Sequence, residues 1–543
     1  MKNKKTIIST TLLVFIFFIV NSCTDLNEQT YSSVTADSFF KTDQQATSAL
    51  GAAYSHLGFY ANGNTFNMEE VTTDEMVVPT RGHDWYDGGH WLRLHRHTWT
   101  VTDPSIEGGW NELFGGVATC NRLIFQFSDL ADKGSIDQAK ADKYTGELKV
   151  LRAFYYYWLL DLYGNVPIVT GFKDVSSSPS QPSPDFQEGR KKVFDFVEKE
   201  IKDNIDALDS NVDLSTYGRM TKWAAHFLLA KLYLNAKVYI GTPRYSDAVE
   251  QCNAIINSGN FHLAGDFFGN FKTENQNSPE FIFAIPYDAV NLTGHNMHMR
   301  TLHTLSQFTF NLKAQPWNGF ATMEDFYNTF KDSDQRKDGF LVGYQKDASG
   351  NYLIDNSTFE GEPHGDTLYF TPHINEIYPE AWREGGARFN KFSYASGSTA
   401  NLDNDFPVFR YADVLLTKAE AMWRAAGAPD NYGDADALAL VNMVRERAGL
   451  SDYSSLDAYK ILMERGHELY TELWRRQDLL RYKGNIHFKI SSDGSKGAVY
   501  DSGPTAFNDA WWEKEADMAD HNIYPIPFTQ LQANKNLVQN PGY

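Results

Sequence analysis

The sequence predicts a mainly α fold, with tetratricopeptide-like helical pairs forming an α–α superhelix and a large irregular region of loops and short strands attached to it. Three observations carry this expectation. Long segments place apolar and aromatic residues at helical spacing, as at Trp223, Phe227, Ala230 and Leu234, which share one face of a 3.6-residue helix. Residues 264–406, in contrast, break into Gly, Asn and Asp clusters around apolar runs too short for helices. Aromatic residues also make up 14% of the 543-residue chain, a load that calls for ring packing between helices, for a ligand surface, or for both.

The elements follow in chain order. Residues 151–163 (Leu-Arg-Ala-Phe-Tyr-Tyr-Tyr-Trp-Leu-Leu-Asp-Leu-Tyr) read as a helix stopped by Gly164 and Pro167. Residues 174–185 are Ser- and Pro-rich and read as a loop. Thr221 is placed to cap the next helix. After the turn Gly241-Thr-Pro243, a partner helix starts near Tyr245 and presents Ala248, Cys252 and Ile255 or Ile256. Within the irregular region, Phe281-Ile-Phe-Ala-Ile285 reads as a short strand. Helices are expected over 411–426, 434–448 and 454–482, and 493–509 reads as another loop. Small Ala residues facing aromatics across antiparallel pairs are the packing of tetratricopeptide-like units, here with an irregular period. Loops on such a rigid scaffold are where function is expected.

Charge and targeting bound the function. With 49 Lys+Arg against 69 Asp+Glu, the net charge is -20, which excludes non-specific nucleic-acid binding. Lys2, Lys4 and Lys5 precede an apolar run that ends at Val20, too short for a membrane span and typical of a secretory signal. Val20-Asn-Ser-Cys23 resembles a bacterial lipoprotein box. Residues 1–22 are therefore expected to be removed and Cys23 to be lipidated, with more than one acyl chain making the anchor durable. The remaining thiols, Cys120 and Cys252, sit in helical runs and are expected to be buried and free.

Catalytic signals are weak. His467-Glu468 lacks the second His of a zinc-protease helix, and no P-loop, CxxC pair or Gly-x-Ser-x-Gly elbow occurs. His95 and His97 would share a strand face, but hydrogen-bonded histidines are the expectation. Acidic loops near 403–405 and 493–509 leave a structural calcium open. The densest cluster is Arg81-Gly-His-Asp-Trp85-Tyr-Asp-Gly-Gly-His-Trp91, whose glycines and alternation exclude a helix face. Trp85, and Trp317 in Gln315-Pro-Trp-Asn-Gly319, stand on loops far apart in sequence. Such aromatics offer an apolar face among polar neighbours, which suits the C–H face of a sugar ring. Trp91 reads rather as a plug in the core.

Several segments together resemble the SusD/RagB family of Bacteroidetes outer-membrane lipoproteins. They include Asp74-Glu-Met-Val-Val-Pro-Thr-Arg81, Asp84-Trp-Tyr-Asp-Gly-Gly89, His97-Thr-Trp99, Leu162-Tyr-Gly-Asn-Val-Pro167, Phe409-Arg-Tyr-Ala-Asp-Val-Leu-Leu416, Glu472-Leu-Trp-Arg-Arg-Gln-Asp-Leu479 and Tyr524-Pro-Ile-Pro527. The resemblance implies a single globular unit, with an N-terminal part over 23–262 and a C-terminal part over 263–543. It implies a surface lipoprotein that binds oligo- or polysaccharide without hydrolysing it and passes it to a SusC-like TonB-dependent transporter. Peptide or glycopeptide capture on the same scaffold is the alternative, because a fold does not fix its ligand. Loop position makes Trp85 and Trp317 the stacking residues. Arg81, Asn67, Asp84, Tyr86, Arg388, Tyr394 and His298 are the expected polar contacts. No cofactor is implied.

Overall fold

The computed structural model describes residues 43–82, 84–357, 361–482 and 522–543, with the backbone alone at 486–490 and 496–500. The unit Met1–Thr47 contributes only 43–47, which are helical, and Ser48–Tyr543 forms one compact unit. The signal segment and Cys23 lie outside the described residues. Among the described residues, no helix is long and apolar enough to cross a membrane.

The scaffold is built from α1 (Asn64–Glu70), α2 (Pro104–Asp132), α3 (Gln138–Leu162), α4 (Phe186–Asn204), α5 (Lys222–Leu234), α6 (Tyr245–Ser258), α7 (Tyr411–Ala425), α8 (Ala435–Arg447), α9 (Ala458–Leu469) and α10 (Arg475–Arg481). Their starts are chemically specified. Asp137, Asp185, Thr221, Asp434 and Asp457 each accept a backbone N–H three residues on, closing an N-terminus that would otherwise leave donors unpaired. Gly164 ends α3 at φ 72°, a conformation only Gly adopts freely. Neighbours pack in sequence order, α2 on α3, α3 on α4, α5 on α6, then α6 on α7 and α7 on α8. The contact of α6 with α7 spans the boundary between the expected N- and C-terminal parts.

The aromatic run of α3 is packing. Tyr155, Tyr156, Tyr157 and Trp158 are wholly buried, and each phenol finds an acceptor: Ala53 O at 2.7 Å, Pro167 O at 3.1 Å and Gln477 Oε1 at 2.6 Å. Trp158 stacks on Trp474 with ring centres 5.4 Å apart. Buried rings carrying a polar atom need such partners. Cys120 and Cys252 are buried and free, as expected, and burial pushes the Cys120 thiol up to about 12.

The strands are short antiparallel pairs that staple the irregular region. They are β1 (Met76–Val77) with β3 (Ala321–Thr322), β2 (Phe281–Ile285) with β8 (Phe406–Arg410), β4 (Phe340–Leu341) with β7 (Arg388–Phe389), β5 (Gly343–Tyr344) with β6 (Tyr369–Phe370), and β9 (Ile486–Ile490) with β10 (Lys496–Tyr500). The last pair places a strand inside the segment expected to be loop.

Two other expectations change. The helix expected over 454–482 is broken between α9 and α10, where Thr471 and Leu473 adopt φ of 61° and 66°. Buried charges replace the missing helical hydrogen bonds. Lys391 Nζ donates to Tyr470 O at 2.6 Å, and the N–H groups of Thr471 and Leu473 donate to Glu75 at 3.2 Å and Glu70 at 2.6 Å. His95 lies in a helix, His90–Arg96, and His97 ends it at φ 57° with its Nε2 2.8 Å from Thr72 O, so they share no strand face. Near 403–405, Asp403 accepts the Ala289 N–H and Asp405 the Tyr217 hydroxyl. Among the described residues no group of three or more His, Cys, Asp or Glu could hold a metal ion.

The irregular region is bolted to the helices by ion pairs buried at both ends. Arg410 reaches Glu472 at 2.8 Å, Glu468 at 2.5 Å and Glu280 at 3.3 Å. Arg336 reaches Glu464 at 2.8 Å and Glu468 at 3.1 Å, and Lys391 reaches Glu472 at 2.5 Å. Burial alone would raise the Glu468 carboxyl, but the guanidiniums of Arg447, Arg410 and Arg336 hold it well below the usual carboxylate range.

Removing one partner of such a network leaves charges buried and unpaired. Arg410→Ala is expected to cost roughly 3–5 kcal/mol, read as a lower urea midpoint. Asp405 offers a pH signature, since burial raises its carboxyl from 3.8 to about 6. The protonated form is the one the fold favours, so its contribution is complete below pH 4 and disappears as pH rises through 6. Between pH 4 and 7, the stability of Asp405→Asn relative to the parent is expected to gain roughly 2 kcal/mol, and parallel stability curves would refute this assignment.

Candidate functional site

Two loops distant in sequence meet at one surface. The first, residues 82–89, folds on itself through left-handed backbone at Gly82, Trp85, Asp87, Gly88 and Gly89. For Trp85, at φ 64°, this is a strained conformation of the sort held only where the surroundings impose it. Arg93 braces the loop with a bond to Gly88 O at 2.8 Å and is itself anchored by Asp103 at 2.9 Å. The second loop runs along the helix Met297–Thr301, with the Trp317 N–H on Met299 O at 2.6 Å and the Gly319 N–H on Arg300 O at 2.7 Å.

The two loops are joined directly. Trp85 Nε1 donates to Trp317 O at 2.8 Å, and its ring packs edge-on against Phe320 at 5.4 Å. A Cβ on residue 319 would overlap the Trp85 indole, so Gly is required there for contact rather than for flexibility. Trp91 lies behind, buried, with its ring 5.8 Å from Trp85 and its Nε1 on Asp87 at 2.7 Å, which makes it the core plug expected. Trp317 is 42% exposed and Tyr86 41%. The Tyr86 ring stacks on Tyr378, also 45% exposed, with centres 5.2 Å apart. Exposed rings grouped on a braced surface form a stacking platform.

Beneath the platform lie arginines. Arg81, 5% exposed, donates to four carbonyls: Trp382 at 3.1 Å, Asn318 at 2.9 Å, Gly319 at 2.6 Å and Gly385 at 2.6 Å. One side chain thereby ties three chain segments together. Arg388, wholly buried, donates to Gly386 O at 2.5 Å, Arg383 O at 2.7 Å and Asn318 Oδ1 at 3.1 Å. Burial lowers the Arg81 guanidinium to about 9, and burial together with Arg81 lowers that of Arg388.

The expected site residues therefore separate. Trp85, Trp317, Tyr86 and the exposed Asp84 share the platform. Arg81 and Arg388 are instead buried, donating to backbone carbonyls and, for Arg388, also to the Asn318 side chain. Asn67 is buried and accepts from Arg300 at 3.0 Å, so it too supports the surface from beneath. His298 and Tyr394 pack on each other at 5.6 Å, with His298 Nε2 2.9 Å from Thr399 O and the Tyr394 hydroxyl bonded to Phe389 O. Burial lowers the His298 imidazole to about 4, which leaves it neutral. Both are structural. Tyr378 and the half-buried Trp382 were missed by sequence reasoning. For Tyr378 the signal available was an aromatic beside a proline, Pro379, among polar residues, the same pattern that marked Trp317.

Enlarging Gly319 tests this geometry. Gly319→Ala is expected to displace the Trp85 indole and open its bond to Trp317 O, changing intrinsic tryptophan fluorescence without unfolding the chain. An unchanged emission spectrum would show that the two loops are not so coupled.

With this geometry in view, comparison with known proteins is specific. A model of the SusD family matches residues 279–543, and one described as starch-binding associating with outer membrane matches 26–234. The starch-binding protein SusD of Bacteroides thetaiotaomicron is 24% identical, covering 90% of this chain and 86% of its own. A SusD-like protein of Bacteroides ovatus is 23% identical over 89% and 83%. Among solved structures, surface glycan-binding protein A of B. thetaiotaomicron superposes with a TM-score of 0.70 at 22% identity, over 93% of this chain and all of that one. The same protein in complex with laminarihexaose gives 0.69 at 22% identity, over 92% of this chain and all of that one.

Proposed function

The chain belongs to the SusD/RagB family, and on that premise we propose that it is a surface glycan-binding protein that captures neutral oligo- or polysaccharide by ring stacking and performs no chemistry on it. The observation that carries this reading is the platform itself. Two loops, more than two hundred residues apart, are joined by the Trp85–Trp317 bond and present Trp317 and Tyr86 to solvent, with Tyr378 of a third segment stacked on Tyr86. A sugar ring places its C–H face on such a surface while its hydroxyls stay hydrated or bond to neighbours such as Asp84. The net charge of -20 favours a neutral ligand over an anionic one. The relatives named for starch binding and the neighbour complexed with laminarihexaose support the same ligand class.

The remainder of the proposal concerns address and partner. Cys23 carries the lipid that holds the chain at the outer membrane, and the captured glycan passes to a SusC-like TonB-dependent transporter. Both rest on the lipoprotein box and on family membership.

The division between exposed and supporting aromatics sets the expected outcome. Trp317→Ala is expected to abolish retardation in native gels containing the recognised polysaccharide, from a panel that includes starch and laminarin, with a melting temperature unchanged within about a degree. Trp85→Ala also abolishes retardation but lowers the melting temperature, because it removes contacts with Phe320 and Trp91. Full retardation of Trp317→Ala would remove the platform from the site. Release of reducing sugar by the parent protein would instead make it an enzyme.

A further inference from the structure

Away from the platform, residues 340–357 and 361–370 build a small antiparallel meander. β5 pairs with β6, and single bridges join Lys346 to Tyr352 and Ile354 to Thr367. Leu353, Leu368 and Phe370 point inward to a buried cluster against which Leu305 and Leu341 pack. Strand alternation then turns Tyr344, Lys346, Tyr352, Ile354 and Tyr369 to the opposite face. Tyr344 is 52% exposed, Tyr352 55% and Ile354 52%, so this face is open to solvent.

The rings on it are ordered. Tyr344 meets Tyr352 edge-on at 5.7 Å and Tyr369 at 4.9 Å, while His364 lies parallel to Tyr369 at 3.7 Å. Two carboxylates of the same segment are already matched. Asp355 is held by Arg383 at 2.8 Å and His303 at 3.1 Å, and Glu362 by Arg383 at 2.6 Å. The surface therefore offers aromatic faces with polar tips and one cation, Lys346, lying 4.8 Å over the Tyr352 ring, which suits a ligand carrying many hydroxyls better than a purely aliphatic one.

The face is also continuous with the platform's support. Arg383, which clamps Asp355 in the meander, presents its own carbonyl to Arg388, and Arg388 in turn holds Asn318 beside Trp317. Two aromatic surfaces mounted on one set of arginine clamps keep a fixed separation, and a polymer bound at one reaches the other at high effective concentration.

We propose that the Tyr344/Tyr352 face is a second stacking surface for neutral polysaccharide, engaged by chains long enough to leave the platform. It rests on the glycan-binding reading above. The test uses the full protein, its Tyr344→Ala/Tyr352→Ala double variant and Trp317→Ala, first in native gels containing starch or laminarin. Each is then titrated with the hexasaccharide of whichever polymer retards the parent. The double variant is expected to bind polymer about tenfold more weakly, to bind the hexasaccharide like the parent, and to melt at the parent temperature. Trp317→Ala is expected to lose both. Polymer retardation of the double variant equal to the parent overturns the second surface, as does equal weakening toward polymer and hexasaccharide, which would place these tyrosines within the first site. Parental glycan binding accompanied by loss of a co-purifying partner protein assigns the face to protein docking and overturns the proposal. A parent retarded by neither polymer and titrated by neither hexasaccharide brings down the glycan reading itself, and with it this extension.

Discussion

Everything outside the helical scaffold depends on buried ion pairing around the break between α9 and α10. Glu468 and Glu472 sit where a continuous helix would have run, and Arg410, Arg336, Arg447 and Lys391 converge on them from three separate stretches of the irregular region and from α8. Apolar packing alone is tolerant of register, because one methyl group substitutes for another at small cost. Charges sealed from water are not, since each must find its partners in one arrangement or remain unpaired at a cost of several kcal/mol. Arg475 with Asp74 at 2.6 Å extends the same logic to the loop following α1. A region with little regular secondary structure thereby acquires a definite shape.

The platform uses a neutral version of that device. Arg81 and Arg388 bond to peptide carbonyls rather than carboxylates, and their rigid planar forks can bridge chain segments that share no strand pairing. This explains how loops with several left-handed residues keep exposed rings in place. The strain at Trp85 and Asn318 is held by clamps below the surface, not by a ligand above it.

The helices were largely legible in the sequence because their signals are local. A cap such as Asp434, a stop such as Gly164 and an apolar face such as that of α5 act within a few residues of where they are written. The break at 470–474 was not legible, since its cause lies in Glu70, Glu75 and Lys391, far away in the chain. The same limit divides the site. Trp85, Tyr86 and Trp317 were placed on loops because glycine-rich, proline-flanked aromatics have no helical face to occupy. Arg81, Arg388, Asn67, His298 and Tyr394 were misread because residue type does not tell whether a polar group points to solvent or inward, and in each case a distant carbonyl or side chain decides it. The aromatic excess divides likewise into core rings, as in α3, and a small exposed remainder.

Consider finally the contact between Gly319 and the Trp85 indole. A side chain of any size at 319 drives the ring from its seat, so this position is closed to change, and with it the pairing of the two loops. Tyr86, Tyr378 and Trp317 project outward and bear no comparable part of the framework. Mutational drift therefore has one frozen hinge point and three free ones. A lineage built on this scaffold can trade one ligand for another by altering the outward rings, without first having to solve the folding of the loops again.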